Sequence, residues 1–307
     1  MKQRLIVTAG PTAVGKTKTS VELAKALGGE VISGDSMQIY KGLDVGTAKI
    51  TEAEMEGIPH HLIDIKEPHE TFSAAEFQKM ASKLIIEINN RGKIPIIAGG
   101  TGLYIRCVTH GYEFPEAGGN PELRLQLEKE AEKRGAEHLH RLLQMQNPTA
   151  ASTIHPNNVR RVVRALEVAM SAQVGNTQSR CEESPYHLIM VGLEMERSRL
   201  YERINERVDT MMKEGLLEEA RMLFERKIEG SQAVTAIGYK ELFPYFRHEM
   251  ELNECVELLK RNSRRYAKRQ LTWFKNQTDA TWFDMGEKPY QEKFKEILNF
   301  VEGELQR

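Results

Sequence analysis

The sequence predicts an α/β fold, a parallel sheet flanked by helices with an all-helical segment inserted into it, and three observations predict it. Short apolar runs that end in glycine or small polar residues, Leu5-Ile-Val-Thr, Val31-Ile-Ser and Ile94-Pro-Ile-Ile-Ala, read as strands buried on both faces. Helical periods lie between them, notably Thr17 to Leu27 and Ala74 to Asn90. The second period is introduced by Ser73 as an N-cap with Glu76 three residues on, the pattern of a capping box. A further apolar run, Leu188-Ile-Met-Val-Gly-Leu, returns only after a long stretch in which helical patterns alternate with Gly, Asn and Pro breaks. That interruption predicts a helical insert over 113–186. The sheet unit then comprises 1–112 and 187–307, completed by the returning strand and a helical tail from Ser198 to Asn276. Gly215, Gly230 and Gly238 mark expected helix ends in that tail.

Composition agrees with two folded units. At about 150 residues per domain, 307 residues suggest two. With 40% hydrophobic and 28% charged residues, the chain can build a core, and disordered, collagen-like and coiled-coil readings fall away. Cys107, Cys181 and Cys255 share no close spacing, which argues against a disulfide scaffold or a cysteine zinc site and for a reducing, cytoplasmic setting. The first apolar run is too short for a signal or membrane segment, so no membrane is expected as a partner. Net charge is −1, so a polyanion would have to be held by a local concentration of Lys and Arg.

The first strand leads directly into Gly10, Pro11, Thr12, Ala13, Val14, Gly15, Lys16 and Thr17, which open the first helix. This is the context a phosphate loop requires, and it makes the sheet P-loop NTPase-like. Glycine lets successive N–H groups curl inward, the helix N-terminus adds partial positive charge, and Lys16 supplies a mobile one. Thr17 is suited to ligate Mg²⁺, an ion that takes few protein oxygens and completes its shell with phosphate and water. A nucleoside triphosphate and a simple alkyl diphosphate present the same terminal groups to such a loop.

Two further strand ends carry chemistry to the same sheet edge, where open α/β proteins place ligands. After the second lies Asp35, followed by Ser36, Met37 and Gln38. Its carboxylate could bind magnesium, accept a proton from a nucleophile, or only cap a turn. After the third, Gly99-Gly-Thr-Gly allows close backbone approach and offers the Thr101 hydroxyl, although a tight strand-to-helix turn has the same composition. Farther on, Lys260 to Lys275 holds seven basic residues and no acidic one. Arg261, Arg265 and Arg269 form one helical row, and Lys260, Arg264 and Lys268 a second. That face favours an RNA partner over plain solvation, with Tyr266, Trp273 and Phe274 read as core rather than stacking groups. The adjacent His60 and His61 have no third ligand nearby and are not read as a metal pair.

Taken in order, the phosphate loop, Asp35-Ser-Met-Gln-Ile-Tyr, Asp44-Val-Gly-Thr-Ala-Lys49, Gly99-Gly-Thr-Gly-Leu-Tyr104, Arg164-Ala-Leu-Glu-Val168, Gly238-Tyr-Lys240 and Lys268-Arg-Gln-Leu-Thr-Trp-Phe274 resemble the bacterial tRNA dimethylallyltransferase family, from residue 5 to about residue 284. The resemblance implies transfer of a dimethylallyl group from its diphosphate to N6 of the adenosine on the 3′ side of the anticodon, in tRNAs that read codons beginning with U. It implies a diphosphate held at Gly10–Thr17, with Mg²⁺ at Thr17, and Asp35 as base toward a weakly nucleophilic amine. It matches Arg207 to a diphosphate-binding arginine, with Arg203 a weaker candidate, and Thr101 to the target nucleotide and diphosphate region. It also matches the 35–38 segment, Arg124, Arg160, Arg161, Val162, Val163, Arg164, Gly238, Tyr239 and Lys240 to RNA-contacting positions, the insert approaching the anticodon stem. A monomer is expected. Two other classes fit parts of the pattern: a small-molecule kinase using ATP on the same loop, and a nucleic-acid-stimulated ATPase. The kinase needs no basic stripe of this length, and the ATPase normally needs an acidic residue where the third strand ends in Gly99-Gly-Thr.

Overall fold

Neighbouring residues of the first strand point into different cores. In β1 (Gln3–Ala9), Leu5, Val7 and Ala9 join one buried cluster, while Ile6 joins the other. This explains why the strand reads as a continuous apolar run with no polar alternation. The computed structural model describes residues 2–112, 120–171, 183–228 and 231–307. The chain divides into two compact units, Met1–Tyr112 with Cys181–Arg307, and Glu113–Arg180.

The larger unit is built on a parallel sheet of order β3-β2-β4-β1-β5-β6, comprising β1, β2 (Gly29–Ser33), β3 (His60–His61), β4 (Ile94–Gly99), β5 (Tyr186–Glu194) and β6 (Thr281–Asp284). Four of these are the strands expected from the apolar runs. The edge strands β3 and β6 carry no apolar run that would mark them in the sequence. The register pairs Ala9 with Gly99 and Ser33 with Ala98, so the segments leaving β1, β2 and β4 emerge at one level of one sheet edge.

The helices before the insert are α1 (Lys16–Leu27), α2 (Glu52–Met55), α3 (Ala74–Asn90) and α4 (Gly102–Thr109). The cap expected at α3 is present, with Glu76 N–H donating to Ser73 Oγ at 3.1 Å and Ser73 N–H donating to Glu76 at 2.8 Å. The smaller unit holds α5 (Pro121–Arg134), α6 (Ala136–Gln146), α7 (Pro148–Thr153) and α8 (Val159–Ser171) around Leu127, Leu139, Leu143, Val162, Val163 and Leu166.

The tail read as helical from Ser198 to Asn276 is α9 (Arg197–Lys213), α10 (Leu216–Glu225), α11 (Phe243–Phe246) and α12 (Leu252–Gln277), followed by β6 and α13 (Tyr290–Leu305). Gly215 separates α9 from α10 at φ 101°, a conformation that favours glycine. Gly230 and Cys181 lie outside the described residues. On one sheet face α3, α4, α10 and α12 contribute Phe77, Tyr104, Leu216 and Phe274; on the other, α1, α9 and α13 contribute Leu23, Ile204 and Val301. Among the described residues, no helix is long and apolar enough to cross a membrane.

Candidate active site

The loop between β1 and α1 bends back on itself because its first residue can. Gly10 sits at φ 152°, and a Cβ there would run into the carbonyl oxygen of Leu193 on β5. Ala13 adopts φ 65° and Gly15 φ 109°. The turn therefore holds a non-glycine residue in the left-handed region, strain of the kind that collects at ligand sites. Lys16 folds over the loop and donates to Pro11 O at 2.7 Å. Burial lowers its pKa to about 8, a shift that the charge of Arg207 adds to and that of Asp35 opposes. Arg207, from α9, donates to Thr12 Oγ1 at 3.4 Å. Its pKa too is lowered, first by burial.

Opposite the loop, Asp35 caps a turn, its Oδ1 accepting from Met37 N–H at 2.8 Å. It also lines the same cleft as Thr12, Lys16, Thr17 and Arg207, so capping does not exhaust its role. Thr101 Oγ1 accepts from Ser36 N–H at 3.1 Å and lies 3.3 Å from Ser36 Oγ, fastening the β4 turn to the Asp35 segment. A wider hollow adjoins the cleft. The two share Lys16, Thr17, Ala48, Ile50 and Arg207 in their walls, and Arg203 lines only the wider one.

Three further groups line the cleft that the motifs do not assign to it: Gln270, Tyr266 and His60. Gln270 of α12 accepts from Thr12 N–H at 2.9 Å and donates to Gly100 O at 3.1 Å, tying the phosphate loop to the Gly99–Thr101 turn. It is nearly fully buried within a run of basic residues. A glutamine four residues from both Tyr266 and Phe274, on the helix face that carries the core, is the signal that could have found it. Tyr266 lines the cleft, its pKa raised first by burial and then by the charge of Asp35. His60 Nδ1 lies 2.8 Å from Ile58 O and its Nε2 is buried without a hydrogen-bond partner, while burial lowers its pKa; His61 turns to Glu30 at 2.7 Å.

A family model described as IPP transferase matches residues 38–277. A tRNA dimethylallyltransferase of Halalkalibacterium halodurans is 53% identical, covering 100% of this chain and 99% of its own length; one of Bacillus licheniformis is 54% identical, covering 99% and 98%. The chain belongs to the IPP transferase family. Among solved structures, the full-length tRNA isopentenylpyrophosphate transferase of Bacillus halodurans is 52% identical at a TM-score of 0.77, covering 99% of this chain and 97% of its own. A eukaryotic dimethylallyltransferase described as acting on tRNA is 28% identical at a TM-score of 0.82, covering 98% and 80%.

The residues matched to RNA-contacting positions divide by exposure. Arg160 and Arg161 are exposed on α8. Arg124 and Arg164 are half-exposed and converge on buried Glu167, with guanidinium-to-carboxylate distances of 2.9 and 2.7 Å. Val162 and Val163 are both buried in the core of the insert, so between Arg161 and Arg164 the side chains turn inward. Tyr239 is likewise fully buried, with its hydroxyl donating to Glu219 at 2.6 Å, and Gly238 is buried beside it; only Lys240 of that triplet is exposed. Gln38 is committed inward, 3.2 Å from Ser33 Oγ and donating to the carbonyls of Thr47 and Ala48.

The basic face of α12 is narrower than its sequence suggests. Lys260 turns to Asp209 at 2.8 Å, Arg264 to Asn205 at 2.6 Å and Lys275 to Glu194 at 2.5 Å. Arg261, Arg265, Lys268 and Arg269 remain exposed and make no ion pair among the described residues. Of the aromatics, Phe274 is fully buried, while Tyr266 and Trp273 are partly buried.

Proposed function

We propose that this chain transfers the dimethylallyl group of dimethylallyl diphosphate to N6 of the adenosine on the 3′ side of the anticodon, in tRNAs that read codons beginning with U. The observation that carries the reading is the charge arrangement of the cleft. Two cations, Lys16 and Arg207, are sunk beside a strained amide-rich loop, and one carboxylate, Asp35, stands in the same walls. An excess of buried positive charge favours an anion, and the carboxylate supplies a base where that anion would leave.

The chemistry follows from these groups. The exocyclic amine attacks the allylic carbon, the carbon–oxygen bond to diphosphate breaks, and its electron pair stays on the departing oxygen. The loop amides, Lys16 and Arg207 stabilise that charge as it grows. Asp35 accepts the amine proton through the carboxylate oxygen that Met37 does not occupy. Thr17 gives the cleft a hard oxygen donor beside the phosphate loop, which fits an ion that takes few protein ligands. Mg²⁺ held by Thr17 would supply further neutralisation of the diphosphate. The two adjoining hollows support separate approaches for donor and base to the shared residues.

One assay tests the reading. The protein is incubated with dimethylallyl diphosphate or ATP, with and without an anticodon stem-loop, and the RNA is examined for a prenylated adenosine. Prenylation that depends on both substrates is expected. Hydrolysis or transfer from ATP with the prenyl diphosphate untouched would overturn it in favour of a kinase or ATPase.

A further inference from the structure

Two of the motifs, Asp44–Lys49 and Gly238–Lys240, take no part in the chemistry above, yet the fold brings them together around a carboxylate from a third element. Glu219 of α10 is almost fully buried. Its Oε2 accepts from the N–H groups of Asp44 at 2.8 Å and Val45 at 2.9 Å, and its Oε1 from Gly46 N–H at 2.9 Å. The Tyr239 hydroxyl donates to the same Oε1 at 2.6 Å. Three successive backbone donors converging on one anion form a nest, here filled by the protein's own side chain. The Tyr239 ring closes over the loop so tightly that a Cβ on Gly46 would lie 2.5 Å from it. Burial, and then the Glu219 charge, push the Tyr239 pKa up, so its hydroxyl remains a donor.

The clamped segment is a wall of the reaction site. Thr47, Ala48 and Ile50 line the cleft, and Asp44, Val45 and Lys49 line the adjoining hollow. Ala48 lies at φ 46°, a strained conformation that needs support from its surroundings. The same loop receives the Gln38 amide, three residues beyond Asp35. We propose that Glu219 is a positioning residue, acting through the backbone of the Asp44–Lys49 loop to hold the wall against which the allylic diphosphate binds. The link to the donor rests on the prenyl-transfer reading; the clamp itself does not.

The test uses the full chain with Glu219→Gln and Tyr239→Phe, followed by hydrogen exchange and donor kinetics. In Glu219→Gln the amides of Asp44, Val45 and Gly46 should exchange at least about tenfold faster, and KM for dimethylallyl diphosphate should rise about tenfold with kcat per folded enzyme changed much less, the scale of hydrogen bonds to a charged group. Tyr239→Phe keeps the ring over Gly46 and removes one donor, so both effects should appear at about threefold. A merely structural role would lower the folded fraction and leave KM alone. If Glu219→Gln does not fold, Tyr239→Phe carries the test. Unchanged exchange at the three amides overturns the clamp, and opened amides with unchanged donor KM overturn its positioning role. If the unaltered protein transfers no prenyl group, the functional reading fails, and the exchange measurement still decides the clamp.

Discussion

The cleft and the helical insert both bury charge, and they resolve it in opposite ways. In the insert, Glu167 is an anion held by two cations. Burial alone would push its pKa up, but hydrogen bonds from Arg164 and Arg124 outweigh that and hold it below the ordinary carboxylate value. In the cleft, two cations face Asp35, with Glu54 of the adjoining hollow also favouring charged Arg207, and burial outweighs that help, so Lys16 and Arg207 are both drawn down. The insert is electrostatically complete without a ligand. The cleft is not, and the deficit is one that a diphosphate would fill.

The largest expected effect breaks the cleft at its carboxylate. Asp35→Ala should lower turnover by roughly 10² to 10⁴ while leaving RNA affinity nearly intact, as for loss of a general base. Normal turnover in single-turnover assays would remove Asp35 from the chemistry and leave it only its turn with Met37. In the insert the corresponding change is Glu167→Gln, which leaves two guanidiniums facing a neutral amide. Because both arginines are half-exposed, the cost should be modest, about 2 kcal/mol or roughly thirtyfold in local opening, read as lost amide protection across α5 to α8 in the intact chain. The loss should be confined to the insert, with prenyl-donor KM unaltered. The Glu167 contribution should be complete above its ordinary pKa of 4.5 and fade as acid titrates the folded carboxylate, which pH-dependent exchange would record.

Third in size is a pH effect that belongs to the cleft alone. A lysine lowered to about 8 is charged below that pH and neutral above it. Donor capture by the free enzyme should therefore be level below pH 8, and kcat/KM for the diphosphate should fall about tenfold for each further pH unit, because binding must then take up a proton. Since Asp35 raises the Lys16 pKa, donor binding to Asp35→Ala, measured by titration, should break at a lower pH. A profile level to pH 10 would show that Lys16 does not carry the charge that holds the donor.

Which of these features could be read from the sequence follows from what each demands of it. The phosphate loop needs glycine at Gly10, where a side chain would strike β5, so its chemistry leaves a spacing. The central strands needed both faces apolar and were legible as runs. His60–His61 is too short to show a period, and Thr281–Asp284 is a brief edge strand, so neither announced itself. Family matching marked 160–164 as a block, although the spacing of Val162, Val163 and Leu166 already places them on one inward face. Glu219 could not be found this way. Three of its four donors are backbone N–H groups far away in the chain, and any residue has one.

The smallest expected effect concerns charges that neither region neutralises. Arg265 and Arg269 stand exposed on α12 without an ion pair among the described residues, whereas Lys260 and Lys275 are already committed to carboxylates. If the exposed pair touches phosphate, replacing both by glutamine releases fewer counterions on binding. The slope of log affinity against log salt for an anticodon stem-loop should become shallower by about 1.4, near 0.7 for each contact to single-stranded RNA, with a several-fold loss of affinity at moderate salt. Lys260→Gln, which removes a cation already balanced by Asp209 and Glu257, should leave that slope unchanged. An equal effect from Lys260 and from the exposed arginines would mean that RNA responds to the net charge of α12 rather than to the cations its packing leaves unpaired. Unequal slopes would extend to the surface the rule the cleft follows: a positive charge is available to a ligand where the fold has not already neutralised it.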